Sequence, residues 1–230
     1  MDQTLKQSMM AYYSERAPEY DEIYTAGKGP TSINDPLTYK EETNRLKQIV
    51  NTLCAGDILD VPSGTAFWLP SYAHHCATVL LVDQSLKMLK ESRERARQNG
   101  LEDRCSFLQT DIFNYDWAGH QFDTVLVGFF ISHLTAEEES LFFSKVCDAL
   151  KPSGKLLILD STWSQERAKT RNKEGEQARK LNDGTEFTIY KKYFTLADIE
   201  TLGKKFRLTF DVHYFGRTFC AFSGRRPPTT

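Results

Sequence analysis

The sequence predicts a doubly wound α/β fold around a mostly parallel sheet, and three observations support this prediction. Short, largely apolar runs recur five times, at residues 58–61, 78–82, 105–109, 122–130 and 155–160. The runs are unbroken rather than alternating in polarity, as expected for strands that are buried on both faces. Segments with helical spacing and turn residues lie between the runs, and strands that alternate with helices form parallel sheets.

Length, charge and cysteine pattern limit the class of protein. The 230 residues suit one domain with a substantial core, and the formal net charge of −2 comes from interspersed acids and bases. We therefore expect no nucleic-acid or membrane partner. A monomer or homodimer is the expected oligomeric state. The five cysteines are scattered without a C-x-x-C motif, and the first residues lack a basic stretch followed by an apolar one. These features predict a cytoplasmic protein with reduced cysteines. No metal site is expected, because the adjacent His74 and His75 would point in different directions on a helix and have no obvious carboxylate or cysteine partner.

Helix signals lie on both sides of the predicted strands. Tyrosines and Arg16 at near-helical spacing predict a helix over about residues 4–24, broken near Pro18. We expect this helix to pack on the body of the protein, and a lid over a ligand is the alternative. Further helices are expected after Asp35, from Ser85 and after Thr135, each starting at a capping residue. Residues 26–36 read as a loop.

The chain changes character after the fifth predicted strand. Residues 163–181 are polar and charged and are predicted to be helical, whereas residues 185–194 are predicted to be extended. Thr195 can cap another helix. Two β-rich runs, 206–214 and 218–223, then predict an antiparallel hairpin at the sheet edge, followed by a frayed tail over 225–230.

The first strand leads into a turn of small residues, Pro62-Ser63-Gly64-Thr65-Ala66, and the second strand ends in Asp83 roughly 20 residues later. This layout is typical of a nucleoside-binding βαβ unit, in which the distal carboxylate faces ribose hydroxyls. A nicotinamide-dependent oxidoreductase shares the layout but needs a G-x-G-x-x-G turn. Pro62 and Ala66 interrupt that pattern here.

These motifs resemble those of the class I S-adenosylmethionine-dependent methyltransferases. The turn Asp60-Val61-Pro62-Ser63-Gly64-Thr65-Ala66 resembles the family's glycine-rich loop, Asp83-Gln84-Ser85-x-x-Met88 its ribose site, and Asp111-Ile112-Phe113 its adenine site. The resemblance implies one Rossmann-like domain over residues 1–230, with a seven-stranded sheet, N-terminal lid helices (1–30) and an acceptor-side cap (162–194). It also implies S-adenosylmethionine as the cofactor. The cofactor-binding residues that it implies are Tyr13, Tyr20, Asp60, Pro62, Ser63, Gly64, Trp68, Asp83, Gln84, Met88, Asp111, Ile112 and Phe129.

Both ends of the chain are similar to a narrower branch, the small-molecule enzymes related to the dehydrophos phosphonate O-methyltransferase. The similar stretches are Tyr12-Tyr13-x-x-Arg16-Ala17-x-x-Tyr20-Asp21, Gly64-Thr65-Ala66-Phe67-Trp68, Ser132-His133-Leu134 and Arg179-Lys180-Leu181-Asn182-Asp183-Gly184. This resemblance implies that Arg179 and Lys191 hold an anionic methyl acceptor, with Tyr24 as a further acceptor-site candidate. The expected reaction is methylation of a carboxylate or phosphonate oxygen.

Two alternatives stay open. A hydroxyl or amine acceptor needs a general base, and His133 at the end of the fourth strand is the candidate. A histidine at this place can instead be structural, bonded to a neighbouring loop. The second alternative is a descendant that keeps the fold to bind a metabolite and does not methylate.

Overall fold

The protein is described by a computed structural model that covers residues 1–25, 27–29, 33–117 and 119–225. Its strands are β1 Gly56–Asp60, β2 Cys76–Asp83, β3 Cys105–Gln109, β4 Phe122–Gly128, β5 Leu150–Ser161, β6 Glu174–Lys180, β7 Glu186–Lys192, β8 Thr209–Phe215 and β9 Phe219–Arg225. Its α-helices are α1 Gln3–Arg16, α2 Glu22–Thr25, α3 Pro36–Leu53, α4 Leu69–Tyr72, α5 Leu86–Gln98, α6 Ala136–Ala149 and α7 Leu196–Phe206. Parts of the expected loop over 26–36, and the tail beyond residue 225, lie outside the described residues.

Seven strands form one sheet in the order β3-β2-β1-β4-β5-β9-β8. Strands β1 to β5 are parallel, and β9 is antiparallel to both β5 and β8. The predicted fold class is therefore confirmed, including the antiparallel hairpin at the edge. The strand order runs in opposite directions from the neighbouring strands β1 and β4, towards β3 on one side and towards β5 on the other. Ligands of open α/β sheets bind outside the carboxyl ends of the strands at such a switch in strand order.

Successive residues of the central strands point into two separate cores, because side chains alternate across a strand. Ile58 and Leu126 belong to one buried cluster, while Leu59 and Val125 belong to the other. Helix α3 packs with the first cluster through Leu46, and helix α6 contributes to the second. Burial on both faces explains why these strands read as unbroken apolar runs.

Capping residues fix several helix starts. Asp35 caps α3, while Thr135 and Thr195 each form a capping box at the start of α6 and α7. The cap of α5 is Ser85, whose hydroxyl accepts the Met88 N–H at 3.3 Å. The helix expected directly after the glycine-rich turn is short, since α4 covers four residues before a 3₁₀ turn.

The prediction of a helix over residues 163–181 is wrong. Apart from a 3₁₀ turn at Arg167–Lys169, the ordered element there is β6, which pairs with β7 as a two-stranded antiparallel sheet. The Asn182-Asp183-Gly184 turn closes the hairpin, and Gly184 takes a φ of +94° that side chains rarely adopt. Gln, Ala, Arg and Lys in β6 are good helix formers, but pairing with β7 and packing against α1 override that propensity.

The N-terminal helices and this hairpin cover one end of the sheet together. Helix α1 ends at Arg16, and a 3₁₀ turn containing Pro18 leads to α2. Tyr12, Leu181 and Ile189 form a third small core between α1 and the hairpin. We call residues 3–25 together with 174–192 the cover. Its N-terminal part is joined to the body by the Glu15–Lys87 ion pair at 2.6 Å, among other contacts.

Candidate active site

The turn after β1 lies at the carboxyl ends of β1 and β2. The Val61–Pro62 peptide bond is cis, and the Ser63 N–H donates to the Val82 carbonyl oxygen at 2.8 Å. Gly64 has a φ of +55°, and Ala66 also has a positive φ of +53°. The Ser63 hydroxyl is buried and has no hydrogen-bond partner among the described residues, so a polar ligand group can satisfy it.

Asp83 joins this turn to the start of α5. Its carboxylate accepts the Gly64 N–H at 3.0 Å and the Ser85 N–H at 2.8 Å. Burial raises the pKa of Asp83 to about 6, although these backbone donors oppose the rise. A carboxylate has about four lone-pair sites, so two backbone bonds leave capacity for ligand hydroxyls.

Asp60 ends β1 and is almost fully buried beside the same turn. The Tyr72 hydroxyl donates to Asp60 at 2.6 Å. Burial raises the pKa of Asp60 to about 7, with Tyr72 opposing the rise and Asp83 adding to it. A ligand cation near Asp60 would relieve this unfavourable burial of charge.

Asp111, the predicted adenine-site residue, follows β3. Its carboxylate accepts the Phe113 N–H at 2.9 Å and lies 3.9 Å from the Lys6 ammonium of α1. Asp111 therefore shapes its own turn and also links that turn to the cover.

All thirteen residues predicted to bind the cofactor line one cleft at the carboxyl ends of β1, β2 and β4. Phe129 at the end of β4 has a φ of +56°, and strain of this kind clusters at functional sites. The cleft brings together the turn, two buried carboxylates and the aromatic side chains of the cover. The buried Ser63 hydroxyl and the lone-pair capacity of Asp83 fit a nucleoside ligand that carries an amino acid group.

A smaller cavity of about 60 Å³ adjoins the cleft. Tyr13, Tyr20, Tyr24, Phe129 and His133 line both spaces, so the two meet at these side chains. Arg179 and Lys191 line only the smaller cavity, on the side of the hairpin. The structure thus brings all four predicted acceptor-site residues together; the role of each remains a prediction.

The smaller cavity also contains residues that were not predicted as site residues: Arg16, Tyr39, Arg167 and Tyr193. Four of the described lining residues are cationic and none is acidic, the cations being Arg16, Arg167, Arg179 and Lys191. The sequence could have indicated Tyr193, because every second residue of an extended segment lies on the same face and Tyr193 follows Ile189 and Lys191 at that spacing. Arg167 carries no local signal, since it lies in a uniformly polar segment.

Lys191 is fully engaged with the body of the protein. Its ammonium donates to the Ser132 hydroxyl at 2.5 Å and pairs with the Asp160 carboxylate at 3.4 Å. Burial lowers the pKa of Lys191, and Asp160 opposes that change. The Lys191 charge is therefore partly neutralised before any ligand arrives.

Arg179 has a different environment. Its Nη1 donates to the Ala178 carbonyl oxygen and its Nη2 to Gln177 Oε1, both at 2.9 Å. It forms no salt bridge with a described carboxylate. Its buried charge is held by neutral acceptors, which leaves it available to a ligand anion.

His133 forms hydrogen bonds through both ring nitrogens. Nδ1 lies 2.7 Å from the Tyr190 carbonyl oxygen of β7, and Nε2 lies 2.7 Å from the Tyr13 hydroxyl of α1. Burial, aided by the Lys191 charge, lowers the pKa of His133 well below its usual value, so the ring is neutral.

Two further classes of feature were sought in the described part of the chain. No group of three or more His, Cys, Asp or Glu side chains there could hold a metal ion. None of the helices among the described residues has the length and apolar character that a membrane crossing requires.

Residues 58–154 match the family described as "Methyltransferase domain". The matched segment runs from β1 to β5 and contains the turn, Asp83 and Asp111.

Solved structures share the complete architecture. The DhpI–SAH complex superposes with a TM-score of 0.78 at 23% identity and covers 100% of both chains. The DhpI–SAM–HEP complex gives 0.76 at 22% identity and covers 98% of this chain and 99% of that chain. At this level of identity the likeness shows the fold, which is that of the enzymes expected from the sequence.

Curated relatives match over a shorter stretch. The ubiquinone/menaquinone biosynthesis C-methyltransferase of Pseudomonas fluorescens is 29% identical over 106 residues, or 45% of this chain and 41% of the relative. The phosphatidylethanolamine N-methyltransferase of Cereibacter sphaeroides is 31% identical over 105 residues, or 46% of this chain and 50% of the relative. The chain thus spans about half or less of the length of these relatives, which act on different kinds of atom.

Proposed function

Because this chain carries a class I S-adenosylmethionine-dependent methyltransferase domain, as the sequence predicted, we propose that it methylates an acidic oxygen of a small anionic metabolite. When bound, S-adenosylmethionine supplies a methyl group on a positively charged sulfur, which is already a good leaving group. The protein's task is therefore to hold the two reactants in line and to keep water out.

The lining of the large cleft supports particular roles for its residues. Asp83 would accept the ribose hydroxyls and Asp111 the adenine amino group, while Ser63 and Asp60 would face the amino acid portion. Tyr13 and Tyr20 stand where the two cavities meet. Aromatic faces attract a cation by about 0.5–2 kcal/mol, so these rings suit the sulfonium.

The charge of the smaller cavity carries the proposal about the acceptor. Four cationic side chains and no acidic one are found among its described lining residues. The pKa of Tyr193 reflects the same positive charge. Burial raises the pKa of its phenol, but the nearby charges of Lys191, Arg179, Arg167 and Arg171 lower it by more, so the net shift is downward. A neutral or cationic acceptor explains this arrangement poorly, since it would leave the buried charges of Arg16 and Arg179, which form no salt bridge with a described carboxylate, without a counter-ion.

An anionic oxygen also simplifies the chemistry. A carboxylate or phosphonate is ionised at neutral pH and needs no general base. Arg179 can orient such a group through two parallel hydrogen bonds, and Lys191 adds a point charge. Alignment of this kind can supply about 7–11 kcal/mol of the barrier reduction. The cations serve placement, because a tighter grip would make the oxygen a poorer nucleophile.

A product screen tests this proposal. The protein is incubated with methyl-labelled S-adenosylmethionine and matched panels of small carboxylates, phosphonates, amines and phenols. We expect labelled methyl esters: those of carboxylates release methanol in alkali, and those of phosphonates are identified by mass spectrometry. Turnover of amines or phenols, with no product from the acids, would contradict the anionic acceptor and leave methyl transfer intact.

A further inference from the structure

Arg16 is the last residue of α1, and its side chain is buried at 5% exposure. Its guanidinium carbon lies 5.6 Å from the ring centre of Tyr12 and 5.0 Å from that of Tyr20. Nη2 has no hydrogen-bond partner among the described residues, and no described carboxylate forms a salt bridge with Arg16.

A buried arginine without a counter-charge is costly. Guanidinium keeps its proton throughout the physiological range, so Arg16 cannot escape the cost by becoming neutral. Burial disfavours the charge, and the surrounding tyrosines are the groups that favour it. A bound anion would offset this cost, so the site favours an anionic ligand.

Arg16 lines the same cavity as Arg179 but comes from the other half of the cover. Arg179 is on β6 of the hairpin, whereas Arg16 is on the N-terminal helix. An anion bound between them would contact both halves at once.

We infer that Arg16 is an anion-binding residue of the acceptor cavity, and that acceptor binding thereby holds α1 over the cofactor cleft. This inference rests on the proposed anionic acceptor. Met9, Met10 and Tyr13 of the same helix line the large cleft. The charge of the acceptor and the closure of the cleft are therefore coupled through one helix, and the coupling is reciprocal: a bound cofactor also strengthens anion binding.

The test uses two simple anions, inorganic phosphate and acetate, titrated calorimetrically into the full chain saturated with S-adenosylhomocysteine. We expect Arg16→Met to weaken anion binding at least about tenfold, as loss of a charge-assisted hydrogen bond does. Arg16→Lys should fall between this variant and the wild type, because it keeps the charge and loses the planar fork. Affinity for S-adenosylhomocysteine should stay within a few-fold in both.

Lys87→Met is the matched control. It removes the Lys87–Glu15 ion pair, which joins α5 to α1 on the exposed surface outside the cavity. This variant should bind the anions as the wild type does. An equal loss in Lys87→Met would mean that any loosening of α1 weakens the site, and it would overturn the role of Arg16.

The remaining outcomes separate the inference from the function it rests on. If Arg179→Met loses anion binding while Arg16→Met binds as the wild type, the role of Arg16 is wrong and the anionic acceptor stands. If neither anion binds the wild type, both are wrong. Hydrogen exchange of the wild type decides the matter should the variants fail to fold: phosphate or acetate must slow exchange in residues 3–16, and unchanged exchange overturns the inference.

Discussion

The Tyr13 hydroxyl lies 2.7 Å from Nε2 of His133 and donates a hydrogen bond to it. The direction follows from the other side of the ring. Nδ1 faces the Tyr190 carbonyl oxygen, which can only accept, so Nδ1 carries the proton and Nε2 is left as the acceptor. One imidazole thus connects α1, the turn after β4 and the hairpin. It has no free lone pair to take a proton from an acceptor while Tyr13 stays in place.

This geometry predicts a small kinetic effect for His133→Asn. An ionised acceptor needs no deprotonation, so kcat should fall less than about tenfold, through misplacement of Tyr13 alone. Because the pKa of His133 is held well below its usual value, the wild-type rate should show no inflection near pH 6.5 from this residue. Steady-state kinetics from pH 5 to 9 measure both. A loss of a hundredfold or more that high pH restores would identify His133 as a general base.

The buried environment of Asp83 predicts that cofactor binding depends on pH. Its carboxyl has a pKa raised to about 6. Ligand hydroxyls that donate to it favour the charged form, so the pKa falls on binding. Affinity for S-adenosylhomocysteine should then be full above pH 6 and decline as the pH drops through 6, by at most about tenfold per unit.

Calorimetry of the wild type and of Asp83→Asn from pH 5 to 8 checks this. The variant should bind more weakly and lose the step near pH 6. A step that persists near pH 7 belongs to Asp60, whose pKa is about 7. Identical pH profiles for the two proteins would show that Asp83 does not bind the cofactor.

The pairing of Lys191 with Asp160 predicts an effect on stability. Lys191→Met leaves the fully buried Asp160 carboxylate with its two backbone donors, Ser132 N–H at 3.0 Å and Ser161 N–H at 2.7 Å, but without a cation. The free energy of unfolding should fall by about 3–5 kcal/mol. The double variant Lys191→Met/Asp160→Asn should recover most of the loss, because no charge remains buried. Urea denaturation measures all three proteins; additive losses in the double variant would contradict the pairing.

The position of the cover over the cleft predicts that its mobility falls when the cofactor binds. If residues 3–25 and 174–192 close over the cofactor, S-adenosylhomocysteine should slow amide exchange in both segments. Helix α7, which packs in the second core near the β8 edge, provides an internal control and should not respond. Equal exchange in the cover with and without ligand would make α1 and the hairpin ordinary packed surface elements.

The sequence predicted the structure correctly wherever a single physical pattern determined the local conformation. Unbroken apolar runs predicted β1 to β5 because both faces of the sheet are buried, and the small residues from Pro62 to Ala66 predicted the cofactor turn. It failed where two signals competed. Residues 174–180 have the composition of a helix, yet the Asp183-Gly184 turn and the alternate inward residues Gln177 and Arg179 indicate a strand. The burial of Arg16 could not be predicted, because it depends on the hairpin that covers α1.

Binding of S-adenosylmethionine in the cleft at the strand ends can be checked by one calorimetric comparison. Wild-type protein is titrated with S-adenosylhomocysteine and with NAD, and Asp83→Ala with S-adenosylhomocysteine. We expect binding of S-adenosylhomocysteine, no binding of NAD, and a loss of roughly 2–4 kcal/mol in the variant from the missing hydrogen bonds to a carboxylate. Binding of NAD, or wild-type affinity in Asp83→Ala, would show that the cleft is not an S-adenosylmethionine site of this kind.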